Sequence, residues 1–102
     1  MSNELDYEKD ELKDELIGLI EEMEQALLNI DRGKDFESNY NSLFRGLHST
    51  KGSSAMVGLI EISEVAHKLE SSMVLKKDGG VVFDKKYCDY LLCGIYHLRD
   101  LL

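Results

Sequence analysis

The sequence predicts an all-α fold, an antiparallel up-down-up-down four-helix bundle, and three observations carry that prediction. Apolar residues recur at steps of three and four in four separate stretches, none of the 102 residues is proline, and turn-forming residues fall between the stretches. Short connections between consecutive amphipathic helices make chain neighbours antiparallel. The whole chain, 1–102, reads as a single domain with helices at roughly 5–31, 35–55, 59–76 and 84–102.

The first stretch runs Leu12, Leu16, Leu19, Met23, Ala26, Ile30, with Ile20 and Leu27 widening the stripe. Its acidic start suits a helix N-terminus, and Gly33 can take the left-handed conformation that ends a helix. The second begins near Asp35 and places Phe36, Tyr40, Leu43, Leu47 and Thr50 on one face before Gly58 breaks it. The third carries Ile62, Val65, Ala66, Leu69 and Met73 inward and stops at the loop Asp78-Gly79-Gly80. Asp84 is the expected N-cap of the fourth, whose buried side is Tyr87, Leu91, Gly94, Ile95, Leu98 and Leu102. Val81, Val82 and Phe83 are too few for an element and read as an apolar lid in the last loop.

Twenty acidic residues against twelve basic ones give a formal net charge of −8. Such a chain repels nucleic acid and anionic membrane surfaces. It shows neither a signal peptide nor a membrane span, so a cytoplasmic location is expected. Cys88 and Cys93 would point roughly 140° apart on a helix and cannot bridge each other there. The pattern of the fourth helix is still running at Leu102, as at the edge of an N-terminal domain within a longer protein.

His48 breaks the ordinary bundle pattern. At 100° per residue it lies roughly 110° from the centre of the second helix's apolar face, exposed beside Phe44 and Lys51. On the third helix Ser63, His67 and Glu70 share one flank, roughly 70° to 130° from the centre of its apolar face. If that flank faces the second helix, Glu70 can accept a hydrogen bond from one imidazole nitrogen. The other nitrogen then keeps its lone pair as a nucleophile, and the carboxylate stabilises the positive charge that develops as it reacts. Lys51 can offset charge on an incoming phosphoryl group. Gly52 leaves the adjoining surface bare for a partner, Gly46 lies nearby, and Arg45, Lys51 and Lys68 put positive charge on an otherwise acidic domain. Taken singly, each feature is ordinary: a surface histidine, a packing glycine, a solvated carboxylate. Their conjunction is not.

The stretch Leu43-Phe44-Arg45-Gly46-Leu47-His48-Ser49-Thr50-Lys51-Gly52, continuing to Gly58-Leu59, resembles the motif of histidine phosphotransfer (HPt) domains. In that motif Lys-Gly follows the phosphorylated histidine at the third and fourth positions. Phe44-Arg45 and Ala66-His67-Lys68-Leu69-Glu70 resemble in particular the HPt domain that opens chemotaxis histidine kinases of the CheA type. The resemblance implies that His48 accepts phosphoryl on Nε2, that Glu70 receives the Nδ1 hydrogen bond, and that Lys51 and His67 complete the polar network. Leu47 and Thr50 depart from the smaller and the aliphatic residue usual at their positions.

The function expected is a phosphorelay carrier of two-component signalling. A histidine kinase catalytic domain supplies phosphoryl to His48, and a response-regulator receiver domain removes it, docking over Arg45 and Gly52. ATP and Mg²⁺ come with those partners; no P-loop or Gly-rich nucleotide stretch is present, so the chain alone should neither bind nor hydrolyse ATP. Whether it is an excised kinase domain or a stand-alone transfer protein stays open, and the isolated bundle is expected to be monomeric. Two other readings remain: a non-catalytic helical interaction module, and a metal site using His48, His67 and Glu70.

Overall fold

Helix boundaries are set by local chemistry that can be read bond by bond. The computed structural model describes residues 4–78 and 83–102, with side chains from residues 10–75 and 83–102. Gly79, Gly80, Val81 and Val82, and with them most of the expected apolar lid, lie outside the described residues.

Helix α1 spans Glu4–Asp31, α2 Phe36–Met56, α3 Ile60–Asp78 and α4 Lys85–Leu101. Helix α1 ends as Gly33 turns to φ 75°: its N–H donates to the Ile30 carbonyl, and that of Lys34 donates to Asn29. Helix α2 ends the same way. Gly58 sits at φ 80°, its N–H donating to Ala55 and that of Leu59 to Ser54. Both are Schellman caps, and both need the conformation that glycine alone adopts freely. At the start of α4 the Asp84 carboxylate accepts from the Tyr87 N–H at 2.9 Å, the expected N-cap. Asp35, before α2, instead adopts a left-handed φ of 39° and makes no side-chain cap bond.

Each helix packs on its chain neighbours, and α4 closes the ring against α1. Neighbours are antiparallel. Asn29 near the end of α1 bonds Asn39 near the start of α2, and the Tyr40 hydroxyl donates to the Met73 carbonyl near the end of α3. Ser72 of α3 meets Tyr87 at the start of α4, and Lys85 reaches back to Asp31 at the end of α1. The four-helix bundle expected from the sequence is therefore the fold.

The core is the set of apolar stripes read above. Leu16, Ile20, Met23 and Leu27 of α1, Leu43 and Leu47 of α2, Ile62, Ala66 and Met73 of α3, and Leu91, Ile95 and Leu98 of α4 are almost wholly out of solvent. Phe36 differs from the expectation. It is 48% exposed, because it stands in the first turn of α2 at the bundle's end, where it meets the rings of Tyr40 and Phe83. Thr50 and Ser54 are buried, yet their hydroxyls donate to the carbonyls of Gly46 and Thr50 one turn back. That bonding satisfies both hydroxyls and is why a threonine and a serine are tolerated in the core. Cys88 is buried and Cys93 exposed, both as free thiols.

Candidate functional site

Helices α2 and α3 place their facing flanks so that three charged or polar side chains converge. The His48 Nδ1 lies 2.6 Å from Glu70 Oε2, and Lys51 Nζ donates to Glu70 Oε1, also at 2.6 Å. His48 and Lys51 stand one turn apart on α2, so one carboxylate from α3 spans both. The His48 side chain is 68% exposed, that of Lys51 29% and that of Glu70 only 9%. The carboxylate is thus the buried hub and the imidazole the exposed tip.

Two opposing effects act on Glu70. Burial pushes its pKa up, but hydrogen bonds from Lys51 and His48, reinforced by their charges, outweigh burial and leave it below the usual glutamate value. Glu70 is therefore ionised at neutral pH. A carboxylate only accepts hydrogen bonds, so Nδ1 of His48 carries the proton of that contact. In the neutral imidazole the lone pair is then on Nε2, the nitrogen turned away from the bundle's buried carboxylate.

Ser63, expected on the same flank, donates from Oγ to the main-chain carbonyl of Lys51 at 3.0 Å. His67 is exposed, and among the described residues no hydrogen bond joins it to His48, Lys51 or Glu70. The physical reason is angular. Ser63 and Glu70 are seven residues apart and nearly eclipsed on the helix, whereas His67 is turned a further 40° to 60° or so toward solvent.

Around the imidazole lies a shallow depression walled by Phe44, Ser71, Val74 and Leu75. Val74 and Leu75 are 41% and 72% exposed, an apolar shelf beside His48 that polar motifs do not signal. Arg45 and Gly52 are both exposed, and at 100° per residue they lie beyond His48 from Lys51, the residue that α3 holds. A Cβ at Gly52 would meet nothing within 4 Å, so the surface there is open. Gly46 is a correction. It does not open a surface to a partner: a Cβ there would lie 2.6 Å from Met23 Cγ, so this glycine lets α1 approach α2.

Among the described residues no three His, Cys, Asp or Glu side chains are grouped to hold a metal ion. His67 is not brought to His48 and Glu70 as the metal reading requires. Among the described residues, too, no helix is long and apolar enough to cross a membrane.

Comparison with known proteins gives the family. The family model described as Hpt domain matches residues 9–102. The curated chemotaxis protein CheA of Borreliella burgdorferi is 26% identical over 102 residues, covering 96% of this chain. The chain spans only 12% of the length of that protein. No solved structure gives a significant match.

Proposed function

The chain belongs to the Hpt domain family, and from that premise we propose that His48 is the phosphoryl-accepting residue of a relay, loaded by a histidine kinase catalytic domain and unloaded by a receiver-domain aspartate. The observation that carries this reading is the 2.6 Å contact between Nδ1 and a buried, ionised Glu70 behind a ring that is 68% exposed. The similarity to a chemotaxis protein favours a chemotaxis-type kinase as the donor.

In the first step the Nε2 lone pair attacks the γ-phosphorus of ATP held by the kinase domain. The N–P bond forms as the P–O bond to ADP breaks, and the electron pair leaves with ADP. No proton needs to be removed from His48, because its Nδ1 proton stays where it is. The imidazole gains positive charge, which the Glu70 carboxylate balances, and Lys51 offsets negative charge on the phosphoryl oxygens. In the second step a receiver carboxylate attacks phosphorus, the N–P bond breaks, and the neutral imidazole is restored with the same tautomer. Phosphoryl transfer is governed by positioning and charge neutralisation around a loose transition state, so a bundle with one oriented nucleophile suffices when partners bring nucleotide and Mg²⁺. Glu70 orients and neutralises; it is not a base.

The test is intact-mass analysis after incubation with ATP and the catalytic core of a chemotaxis-type kinase, with phosphoramidate as a chemical donor in parallel. One acid-labile phosphoryl group is expected on the wild-type chain and none on His48→Gln. Modification retained by His48→Gln refutes the assignment. No modification by either donor, with helicity intact, would favour the non-catalytic interaction module instead.

A further inference from the structure

Lys51 is gripped at both ends by α3. Its ammonium donates to Glu70 Oε1, and its main-chain carbonyl accepts from Ser63 Oγ at 3.0 Å, twelve residues along the chain. Ser63 and Glu70 are separated by seven residues, two helical turns, or about 10.5 Å of rise. Lys51 therefore ties two levels of α3 to one position of α2, on the flank that also carries His48.

The Ser63 bond is unusual for its residue type. A helical serine ordinarily turns its hydroxyl to a carbonyl three or four residues back in its own helix, as Ser54 and Ser72 do here. Ser63 crosses to α2 instead. The Lys51 carbonyl also has Ser54 Oγ at 3.3 Å, but Ser54 belongs to α2 and bonds more closely to Thr50, so it cannot set the height of one helix against the other. Apolar contacts alone tolerate small axial slides, whereas a hydroxyl-to-carbonyl bond fails within a few tenths of an ångström of its range. One residue of slip is about 1.5 Å. A slide of that size strains the contacts of Glu70 with Nδ1 of His48 and Nζ of Lys51, both at 2.6 Å.

We propose that Ser63 is a positioning residue, whose bond to the Lys51 carbonyl locks the axial register of α3 against α2 and thereby holds His48 in the tautomer that leaves Nε2 free to react. The proposal rests on His48 being the phosphoryl acceptor for its consequence in rate, but its structural half stands on the unphosphorylated protein. Loss of the bond leaves the imidazole proton free to shift to Nε2, which removes the nucleophilic lone pair from the exposed edge.

The experiment compares wild type, Ser63→Ala and Ser63→Thr in the full 102-residue chain. Alanine is the better helix former, so the first variant keeps α3 intact; threonine retains the hydroxyl. Long-range ¹H–¹⁵N correlation spectra, at a pH where the imidazole is neutral, report which nitrogen of His48 carries the proton. Wild type and Ser63→Thr are expected to show the Nδ1–H form. Ser63→Ala is expected to show a mixture, and a rate of phosphorylation by phosphoramidate about tenfold lower, the scale expected when a second-layer orienting contact is lost. A Ser63→Ala protein with wild-type tautomer and rate overturns the proposal, even if its melting temperature falls. So does Ser63→Thr behaving like Ser63→Ala. Absence of phosphorylation in wild type would refute the acceptor role of His48, and the spectra would still decide the role of Ser63.

Discussion

Glu70 joins two donors of different exposure, and the pH dependence of its contribution follows from the sign of its pKa shift. Its pKa in the folded chain lies below the ordinary glutamate value of 4.5, with burial opposing the shift and Lys51 and His48 producing it. Its pairing therefore stabilises the fold fully above about pH 4.5 and is lost as pH falls through the lower, folded value. Glu70→Gln is expected to cost about 1 kcal/mol at neutral pH, since Lys51 and His48 both reach solvent and part of the pairing is screened. The deficit should shrink below pH 4.5, and urea melts of both proteins across that range measure it. A deficit that stays constant into acid would mean the carboxylate's charge is irrelevant. The same substitution removes an anion from behind the imidazole, so His48 phosphorylation should slow by roughly 10- to 100-fold. His67→Ala should leave that rate within a factor of about two, since His67 lies outside the hydrogen-bonded cluster and only the orienting contacts carry such effects. Phosphoramidate kinetics separate the two variants.

At the level of the helices, two glycines six residues apart on α2 should respond in opposite senses to alanine. Gly52 is exposed with open space where a Cβ would stand, so Gly52→Ala should stabilise by about 0.5–1 kcal/mol through backbone entropy alone. Gly46 is buried, and its Cβ would fall 2.6 Å from Met23 Cγ and 2.9 Å from Sδ. Gly46→Ala must push α1 or its methionine aside, at a cost of about 1–3 kcal/mol that outweighs the helix-propensity gain. Thermal melts decide it; stabilisation by both substitutions would mean that α1 and α2 separate easily. Gly52→Glu, whose Cβ likewise meets nothing within 4 Å, should keep helicity by circular dichroism yet impede transfer from a protein donor if that surface is a docking face. These two glycines also show what could be read from sequence and what could not. Helix spans were legible because burial imposes a 3.6-residue period on each stretch, and caps were legible because Gly33, Gly58 and Asp84 have local jobs. The period sets Gly46 at the edge of the apolar face of α2 and Gly52 opposite it, but the distance between two helix axes leaves no periodic trace, so the contact of Gly46 with Met23 is legible only with α1 in place. The site was legible to the width of a helix flank: Glu70 and Lys51 fell where expected, but His67 and Glu70 differ by less than the flank's breadth. Which of the two meets His48 depends on how α3 is rotated and held against α2, and that is set only when the helices pack and the Ser63–Lys51 bond forms.

Over the whole molecule, charge rather than apolar packing sets the response to salt. Twenty carboxylates face twelve basic side chains in a body 51 Å long and only 22 by 20 Å across. At about 10 mM ionic strength the Debye length is about 30 Å, longer than the bundle is wide, so like charges on opposite faces repel one another. At about 150 mM it is about 8 Å and that repulsion is largely screened. Opposing this are the ion pairs, which salt also weakens. Lys85 with Asp31 and Asp89, and Arg99 with Glu24, are surface pairs at 3.1, 3.5 and 3.6 Å, a class worth about 0–1 kcal/mol each. In the Lys51–Glu70–His48 cluster the carboxylate is shielded while His48 and Lys51 reach solvent, so salt weakens that cluster in part. The net repulsion of a −8 chain acts over every acidic surface at once, while the screened pairs are few and weak. The melting temperature at pH 7 should therefore rise as NaCl is increased from about 10 to about 150 mM, and Arg99→Gln should lower it by only a few degrees at either concentration. A melting temperature that falls over this range would show that the surface pairs, two of which join α4 to α1, outweigh the relief of repulsion.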